Sequence, residues 1–416
     1  MKNKILLIIL LLNNVIYANN LSMQECIDKS IQNYPDIKSF ELKVTQSKQS
    51  YDSAFSEYLP QVNLQAEYNP IQTFVLPVNG TFSTNDNDSW SAGVYLKQKI
   101  WDFQKTSSKV DASRFDEDIS KLSLKDAQAL LVNKVKSLYL KMILQQEAIK
   151  VRKKDLEAKV AYYDQSLALV EQGLKTKADS SRFLASVYDA KDNLAIAYAI
   201  YEKAKVSLGL YMGENIDNDV ELENSIIKKD YNFKNNLEEN ILTNNYQLQI
   251  DSKNIDKNRL LHKSAKASHY GSVDGYASYN HVDSLSEYDS KLVGISLTVP
   301  LYTGGRTSAD EQKAQISTQI SKQAQASKKL ALKDELTGLV IDIKSYDETI
   351  LAKKAQIDAA NESKNVLEAR YKEGLSTYIE VLDSISVVLN AELGLLQTYY
   401  SKSISINQIQ YLEGKI

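Results

Sequence analysis

The chain is poor in residues that interrupt regular structure or build compact chemical sites. Its 416 residues include only 5 prolines, 14 glycines, three histidines and one cysteine. A single cysteine excludes an internal disulfide, and without a close set of histidine and cysteine ligands no metal site is expected. No nucleophile–base grouping or phosphate-binding loop is recognisable, so neither an enzyme nor a cofactor is expected. The scarcity of proline and glycine favours long, uninterrupted elements.

The chain also lacks a strong excess of charge and a transmembrane helix. Its formal net charge is −3, and this mild acidity argues against nucleic acid as a partner. The apolar run over residues 5–12 follows Lys2 and Lys4 and precedes Ala18, a pattern typical of a secretory signal peptide. The run is too short to span a bilayer as a helix. We therefore predict a signal peptide over residues 1–18 and export of the remaining chain.

What the chain does contain is an internal repeat. The segments Gln172–Thr176 and Glu373–Thr377 each interrupt a long helical pattern, and they are separated by a shift of 201 residues. The same shift aligns Ile100–Asp102 with Leu301–Thr303, and further upstream it grows by ten residues. A repeat of this length indicates duplication of a whole structural module. We predict a first repeat over residues 19–213, an acidic connector over residues 214–232 and a second repeat over residues 233–416.

Two long helices are predicted, one in each repeat. No glycine or proline occurs from Phe103 to Gln172, and from Arg306 to Glu373 only Gly338 does. Apolar residues recur in both stretches at steps of three, four or seven, which indicates coiled-coil-like packing. At 1.5 Å per residue, each helix would be roughly 100 Å long.

Four shorter segments alternate apolar and polar residues with a period of two. Their apolar positions are Val62, Leu64, Ala66 and Tyr68; Trp90, Ala92, Val94, Leu96 and Ile100; Val273, Ala277 and Tyr279; and Val293, Ile295, Leu297 and Val299. Such alternation over about ten residues is typical of transmembrane β-strands. Each pair is predicted to form a hairpin, with polar loops over residues 69–89 and 283–289. Trp90 and Trp101 flank one segment, as aromatic residues do at the two faces of a membrane.

The alternative to this prediction is a soluble protein in which two amphipathic hairpins pack on the helices. The polar faces of the segments carry charged residues such as Glu67, Lys97 and Asp274, which argues against it. Four strands cannot close a membrane barrel, because the smallest closed barrels have about eight. Unpaired strand edges are not tolerated in lipid, so the chain would have to assemble as a dimer or a trimer.

Several short motifs resemble those of the TolC-like outer-membrane efflux proteins. They lie in the first helix (Leu21–Ile27 and Asn33–Ile37), at the helix-to-strand junction (Tyr58–Pro60), at the strand-to-helix junction (Val299–Arg306) and at the helical tip (Arg370–Gly374 and Val381–Asp383). Each motif is short, but their order, spacing and duplication together are specific. The resemblance covers residues 19–416.

The resemblance implies a mainly α fold with a small transmembrane β part. In this family, duplicated long-helix hairpins form a periplasmic α-barrel, and four strands from each of three chains form a twelve-stranded outer-membrane β-barrel. It implies a passive exit duct of a tripartite efflux or type I secretion system in a Gram-negative cell. The expected partners are outer-membrane lipid, a periplasmic adaptor of the membrane-fusion type, and an inner-membrane pump or ABC transporter.

Two turns would form the periplasmic tips and dock the adaptor. The tip residues are Gly173, Leu174 and Thr176 in the first turn and Gly374, Leu375 and Thr377 in the second. Glycine permits the left-handed conformation that ends a helix. Thr176 with Asp179, and Thr377 with Glu380, complete capping-box patterns, which is a structural explanation for both acids.

The family also places a constriction at these tips. The resemblance implies that Asp179, Glu380 and Asp383 are constriction acids and that Tyr371 is a gate tyrosine. In a threefold assembly each acid would form a ring of three carboxylates that attracts cations. The sequence departs from the family at Ser376, where better-known members carry a gate arginine. Closure is therefore expected to depend on hydrogen bonds and packing of Tyr371, or on a different cation such as Arg182.

Two other functional classes are compatible with parts of the sequence. A non-conducting trimeric coiled-coil structure of the envelope or cell surface would explain the heptads, but not the doubled strand pairs. A soluble periplasmic adaptor would require the alternating segments to be covered by protein.

Overall fold

The computed structural model describes residues 20–217, 220–223, 231, 233 and 236–415. The signal peptide predicted over residues 1–18 lies outside this range, as do several residues of the predicted connector.

Helices dominate the described residues. In the first half they are α1 (Met23–Asn33), α2 (Pro35–Phe55), α3 (Lys105–Glu171) and α4 (Lys177–Met212). In the second half they are α5 (Leu237–Asn244), α6 (Tyr246–Ala267), α7 (Arg306–Lys372) and α8 (Tyr378–Leu412). Helices α3 and α7 contain 67 residues each, which confirms the two long helices expected from the scarcity of glycine and proline. Within the part of the chain that the structure describes, no helix is both long and apolar enough to cross a membrane.

The strands form two sheets. They are β1 (Asn20–Leu21), β2 (Gln61–Val78), β3 (Thr81–Trp101), β4 (Glu221–Leu222), β5 (Ser272–Asp283) and β6 (Glu287–Thr298). Strands β2, β3, β5 and β6 form a four-stranded antiparallel sheet in that order, while β1 pairs with β4 in parallel. Along the chain, two helices, a hairpin, a long helix and a further helix therefore occur twice.

The chain divides into two compact units. One comprises the residues up to Ile37 together with Ala127–Ile241 and Leu332–Ile416, and the other comprises Lys38–Asp126 and Leu242–Ala331.

The first unit holds the most deeply buried side chains of α3. Tyr139 is fully buried, and its hydroxyl donates hydrogen bonds to the carbonyl oxygens of Leu21 at 2.7 Å and Glu223 at 3.1 Å. These bonds join α3 to β1 and to the residue that follows β4. Cys26, the only cysteine in the sequence, is also fully buried. Burial raises the pKa of its thiol to about 12, so the thiol is protonated and unreactive near neutral pH.

The second unit contains the four-stranded sheet, and its two faces differ in chemistry. Val62, Leu96, Ala277 and Val293 are paired in one row across the four strands. Because directly paired residues point to the same side, this row lies on a single apolar face. On the opposite face, the row through Gln65, Gly93, Asn280 and Ser290 is uncharged and mostly polar. Val62 is 62% exposed and Val293 is 84% exposed, so the protomer itself does not cover the apolar face.

The prediction of a polar loop over residues 69–89 is wrong. Strands β2 and β3 continue as a paired two-stranded ribbon through this segment, and they pair as far as Val78 with Thr81. Asn79 at φ 51° and Gly80 at φ 82° form the connection, and positive φ at both residues is characteristic of a type I′ hairpin turn. A register shift between Asn69 and Gln72 marks the start of the ribbon. The extra residues of the first half therefore lengthen a hairpin rather than a loop.

The two strand-to-helix junctions have the same turn, built from different residues. Phe103 and Gln104 precede α3 with φ of 56° and 72°, while Gly304 and Gly305 precede α7 with φ of 63° and 82°. Glycine adopts these angles without strain, whereas any other residue at such an angle destabilises the fold by roughly 1–2 kcal/mol. Aromatic contacts accompany the strained turn, since the ring of Phe103 lies 6.1 Å from that of Trp101 and 5.3 Å from that of Tyr270.

Candidate functional site

The turn between α3 and α4 and the turn between α7 and α8, here called the first and second tips, have the same backbone. Gly173 and Gly374 both have φ 76°. In the first tip the amides of Gly173 and Leu174 donate to the carbonyls of Val170 and Leu169, at 3.0 and 2.9 Å. In the second tip the amides of Gly374 and Leu375 donate to the carbonyls of Tyr371 and Arg370, at 3.0 and 2.8 Å. This pair of bonds is the Schellman motif, which satisfies the last carbonyls of a helix and requires a left-handed residue.

Capping boxes begin the helix that follows each tip. The Thr176 hydroxyl accepts the Asp179 amide at 3.3 Å, and the Asp179 carboxylate accepts the Thr176 amide at 3.0 Å. Thr377 and Glu380 make the equivalent bonds at 3.3 and 2.7 Å. Both acids therefore cap the helix that follows their tip, as their spacing predicted.

An aromatic cluster lies beneath the tips. Phe183 of α4 is fully buried, and its ring lies 5.7 Å from Tyr371, 6.3 Å from Tyr378 and 6.0 Å from Tyr162. Val381 of α8 belongs to the same buried cluster. These residues come from α3, α4, α7 and α8, so the cluster joins the two helical hairpins of the protomer.

Tyr371, the residue predicted as a gate tyrosine, lies inside this cluster. It is fully buried, and among the described residues its hydroxyl has no hydrogen-bond partner. Burial, and secondarily the negative charge of Asp179, raise the pKa of the Tyr371 hydroxyl above its usual value. The first tip approaches the tyrosine through Lys175, whose Nζ lies 4.9 Å from the centroid of its ring.

The predicted constriction acids lie in different environments. Glu380 Oε2 accepts hydrogen bonds from the Thr377 amide at 2.7 Å, the Ser376 hydroxyl at 2.7 Å and the Thr377 hydroxyl at 3.0 Å. The backbone bond contributes most, and together the bonds lower the pKa of Glu380 to about 2. Asp383 is exposed, and no hydrogen bond or ion pair holds its side chain among the described residues. Asp383 is thus the acid that local structure leaves unexplained.

The remaining tip residues divide into exposed and buried positions. Leu174 is 65% exposed and Leu375 is 68% exposed, so each tip presents a leucine outward. Ser376, which stands where the family's gate arginine was expected, is buried. The guanidinium of Arg182, the alternative cation considered from the sequence, lies 5.2 Å from the centroid of the Tyr378 ring. That contact is within the range of a cation–π interaction.

Away from the tips, Trp90 and Trp101 lie on β3 and are both partly exposed. The indole N–H of Trp90 donates to Asp283 at 3.1 Å. Of the histidines, His269 approaches Glu311 at 3.0 Å and His262 approaches it at 3.7 Å. In the described ranges, no group of three or more histidine, cysteine or acidic residues is arranged to hold a metal ion.

Comparison with known families assigns the chain to one group of proteins. The profile of the family described as "Outer membrane efflux protein" matches residues 26–214 and 237–415, which is most of the chain. The chain belongs to the outer membrane efflux protein family. It is an efflux channel of the outer membrane that extends into the periplasm, and it is not an enzyme. The non-conducting stalk and the soluble adaptor are thereby set aside.

Individual relatives agree with the family assignment. The outer membrane protein TolC of Vibrio cholerae is 21% identical over 434 residues, covering 97% of this chain and 93% of the relative. The solved structure of the channel CusC has a TM-score of 0.85 at 16% identity, covering 95% of this chain and 92% of that one. The CmeC channel of Campylobacter jejuni has a TM-score of 0.80 at 15% identity, covering 94% and 85%. The structural likenesses confirm the mainly helical fold with four antiparallel strands.

Two contributors to the site were missed by reasoning from the sequence. Phe183 is central to the aromatic cluster, although its position in α4 resembles that of any apolar helix residue. Lys175 reaches the second tip, yet the sequence shows only a lysine in a turn. The repeat did contain a signal for Lys175. It aligns with Ser376, and a difference in charge at equivalent positions indicates that the two turns are not interchangeable.

Proposed function

We propose that three copies of this chain form one passive channel that is gated at the helical tips. The observation that carries the proposal is the four-stranded sheet, in which β2 and β6 each have one unpaired edge within the described residues. Unpaired edges in lipid are costly, and four strands are too few to close a barrel. Channels of this family are trimers in tripartite efflux systems, and three copies bring the strand number to twelve.

The faces of the sheet support this arrangement. The apolar row through Val62 and Val293 suits contact with lipid, and the polar row through Gln65 and Asn280 suits an aqueous interior. Trp90 and Trp101 are eleven residues apart on β3, which corresponds to roughly 36 Å along a strand. With a strand tilt of about 45°, this becomes about 25 Å along the membrane normal, which matches an apolar membrane band. We assign the two tryptophans to the two membrane interfaces.

The tips are the proposed gate and docking site. Leu174 and Leu375 present exposed apolar side chains beside rigid glycine turns, which suits contact with a periplasmic adaptor. Asp383 is exposed on α8 and is the best candidate for a ring of three carboxylates, since Asp179 and Glu380 are engaged as caps. Energy for transport would come from an inner-membrane pump or ABC transporter bound through that adaptor.

The proposal is tested by mass and conductance measurements on the detergent-solubilised protein. We expect a trimer by light scattering and, in planar bilayers, a small conductance that favours cations. Asp383→Asn should reduce the cation preference, whereas Asp358→Asn, at an exposed acid in α7, should leave it unchanged. A monomer, or inserted protein with no conductance, would contradict the channel. Equal selectivity in both variants would contradict only the assignment of Asp383.

A further inference from the structure

The two tips of a protomer are joined by one side chain. Lys175, in the first tip, donates a hydrogen bond from Nζ to the backbone carbonyl of Ser376 in the second tip at 3.3 Å. The same Nζ lies 4.9 Å from the centroid of the Tyr371 ring, which is within the distance of a cation–π interaction. Tyr371 is on α7 and Ser376 follows it in the turn, so both contacts are with the second hairpin. No carboxylate lies within ion-pair distance of Lys175 among the described residues.

Only the first tip sends a side chain across to the other tip. Lys175 and Ser376 occupy the same position in the two tips, each two residues after the tip glycine. Ser376 is short, buried and engaged with its own helix, because its hydroxyl donates to Glu380 at 2.7 Å. The side chain of Lys175 is long enough to reach from the first tip to the second. The first hairpin therefore supplies the bridging cation, and the second hairpin supplies its acceptors.

The acceptors of Lys175 are held rigidly. The Tyr371 ring is fully buried and packs edge-on against Phe183 at 5.7 Å. The Ser376 carbonyl belongs to a turn that is fixed by a Schellman motif on one side and by a capping box on the other. A flexible lysine bound to a preorganised ring and carbonyl loses its interactions when the hairpins separate, because neither acceptor can follow it.

We infer that Lys175 is a latch that holds the two tips of each protomer together in the resting channel. This inference rests on the proposed function, in which the tips are the gate. Opening the tips by moving one hairpin away from the other must break the contacts of Lys175 with both Tyr371 and Ser376. The latch consists of a cation–π contact of Lys175 with Tyr371 and a hydrogen bond of Lys175 with the Ser376 carbonyl. These contacts explain how the tips are held together although residue 376 is a serine and not an arginine.

The test compares Lys175→Met with Lys177→Met in single-channel recordings. Both variants remove one positive charge from the first tip, but Lys177 is exposed and its side chain makes no hydrogen bond, ion pair or ring contact among the described residues. Loss of a cation–π contact and a charged hydrogen bond should raise the open probability of Lys175→Met roughly tenfold. Lys177→Met should stay close to the wild type. Lys175→Arg, which keeps a long cationic side chain at this position, should have an open probability close to the wild-type value.

Each outcome discriminates between the latch and the channel itself. If the wild type conducts and Lys175→Met conducts identically, the latch is wrong and the channel stands. If both methionine variants open to the same degree, the effect comes from net charge and the latch is again wrong. Silence from every inserted, trimeric variant and from the wild type would overturn the channel and the latch together. Lys175→Gln, which is uncharged but polar, replaces Lys175→Met if the latter does not assemble.

Discussion

At the first tip a lysine follows two residues after the glycine, and at the second tip a serine stands at the same place. The backbones around them agree closely, since both glycines have φ 76° and the capping threonines have φ of −95° and −91°. The side chains have diverged: Arg182 aligns with Asp383, and Phe183 aligns with Ser384. The two tips therefore share one backbone shape, which their glycine and capping residues determine. The charged and buried side chains differ: the first tip has Lys175 and Phe183 where the second has Ser376 and Ser384.

The largest expected effect comes from removing the aromatic ring that only the first copy supplies. Phe183→Ala should lower the free energy of unfolding by about 3–5 kcal/mol, because the ring is fully buried among three tyrosines. Denaturant unfolding of the detergent-solubilised protein measures the loss. Tyr188→Ala, at an exposed position in the same helix, serves as the control. A loss no larger than that of the control would show that the cluster does not join the hairpins.

An intermediate effect is expected at the feature that the two tips share. Gly173→Ala and Gly374→Ala should each lower the free energy of unfolding by about 1–2 kcal/mol, because alanine at φ 76° is strained although no neighbouring atom blocks it. Gly338→Ala, inside α7 and also unobstructed, should instead raise it by about 0.5–1 kcal/mol. The same unfolding assay measures all three variants. Clearly unequal losses at the two tips would contradict the equivalence of their backbones.

The smallest effect should be a pH dependence of stability at the cap of the second tip. Glu380 has a folded-state pKa of about 2, below its usual value of 4.5, because backbone and hydroxyl donors stabilise its carboxylate. A lowered folded-state pKa means that the stabilisation is complete above the unfolded-state pKa and is lost as pH falls through the folded-state value. The window therefore lies between pH of about 4.5 and about 2. Unfolding curves of the wild type and Glu380→Gln should differ in pH dependence within this window and run parallel above it. Parallel curves throughout would mean that the cap does not hold the carboxylate.

Much of the fold could be predicted from the sequence because it follows from local rules. Long helices follow from the scarcity of glycine and proline, and the tips follow from a glycine and a capping threonine at matched positions. The ribbon beyond Asn69 was missed because the polar residues of β3 resemble a loop, although Asn79–Gly80 is a strong hairpin signal. The contacts of Tyr371 and Lys175 could not be predicted in this way. They depend on which hairpin faces which after folding, and a sequence shows residue types without orientations.

The junction turns before α3 and α7 have a mechanical consequence. Gly304 and Gly305 can change their dihedral angles at little energetic cost, so the turn before α7 is compliant. Phe103 and Gln104 have few alternatives in the left-handed region, and the tilted ring contact of Phe103 with Tyr270 restricts them further. We therefore expect a force along α7 to be absorbed at its junction and a force along α3 to be transmitted to β3. The two junctions would then differ in stiffness although their backbone turns agree.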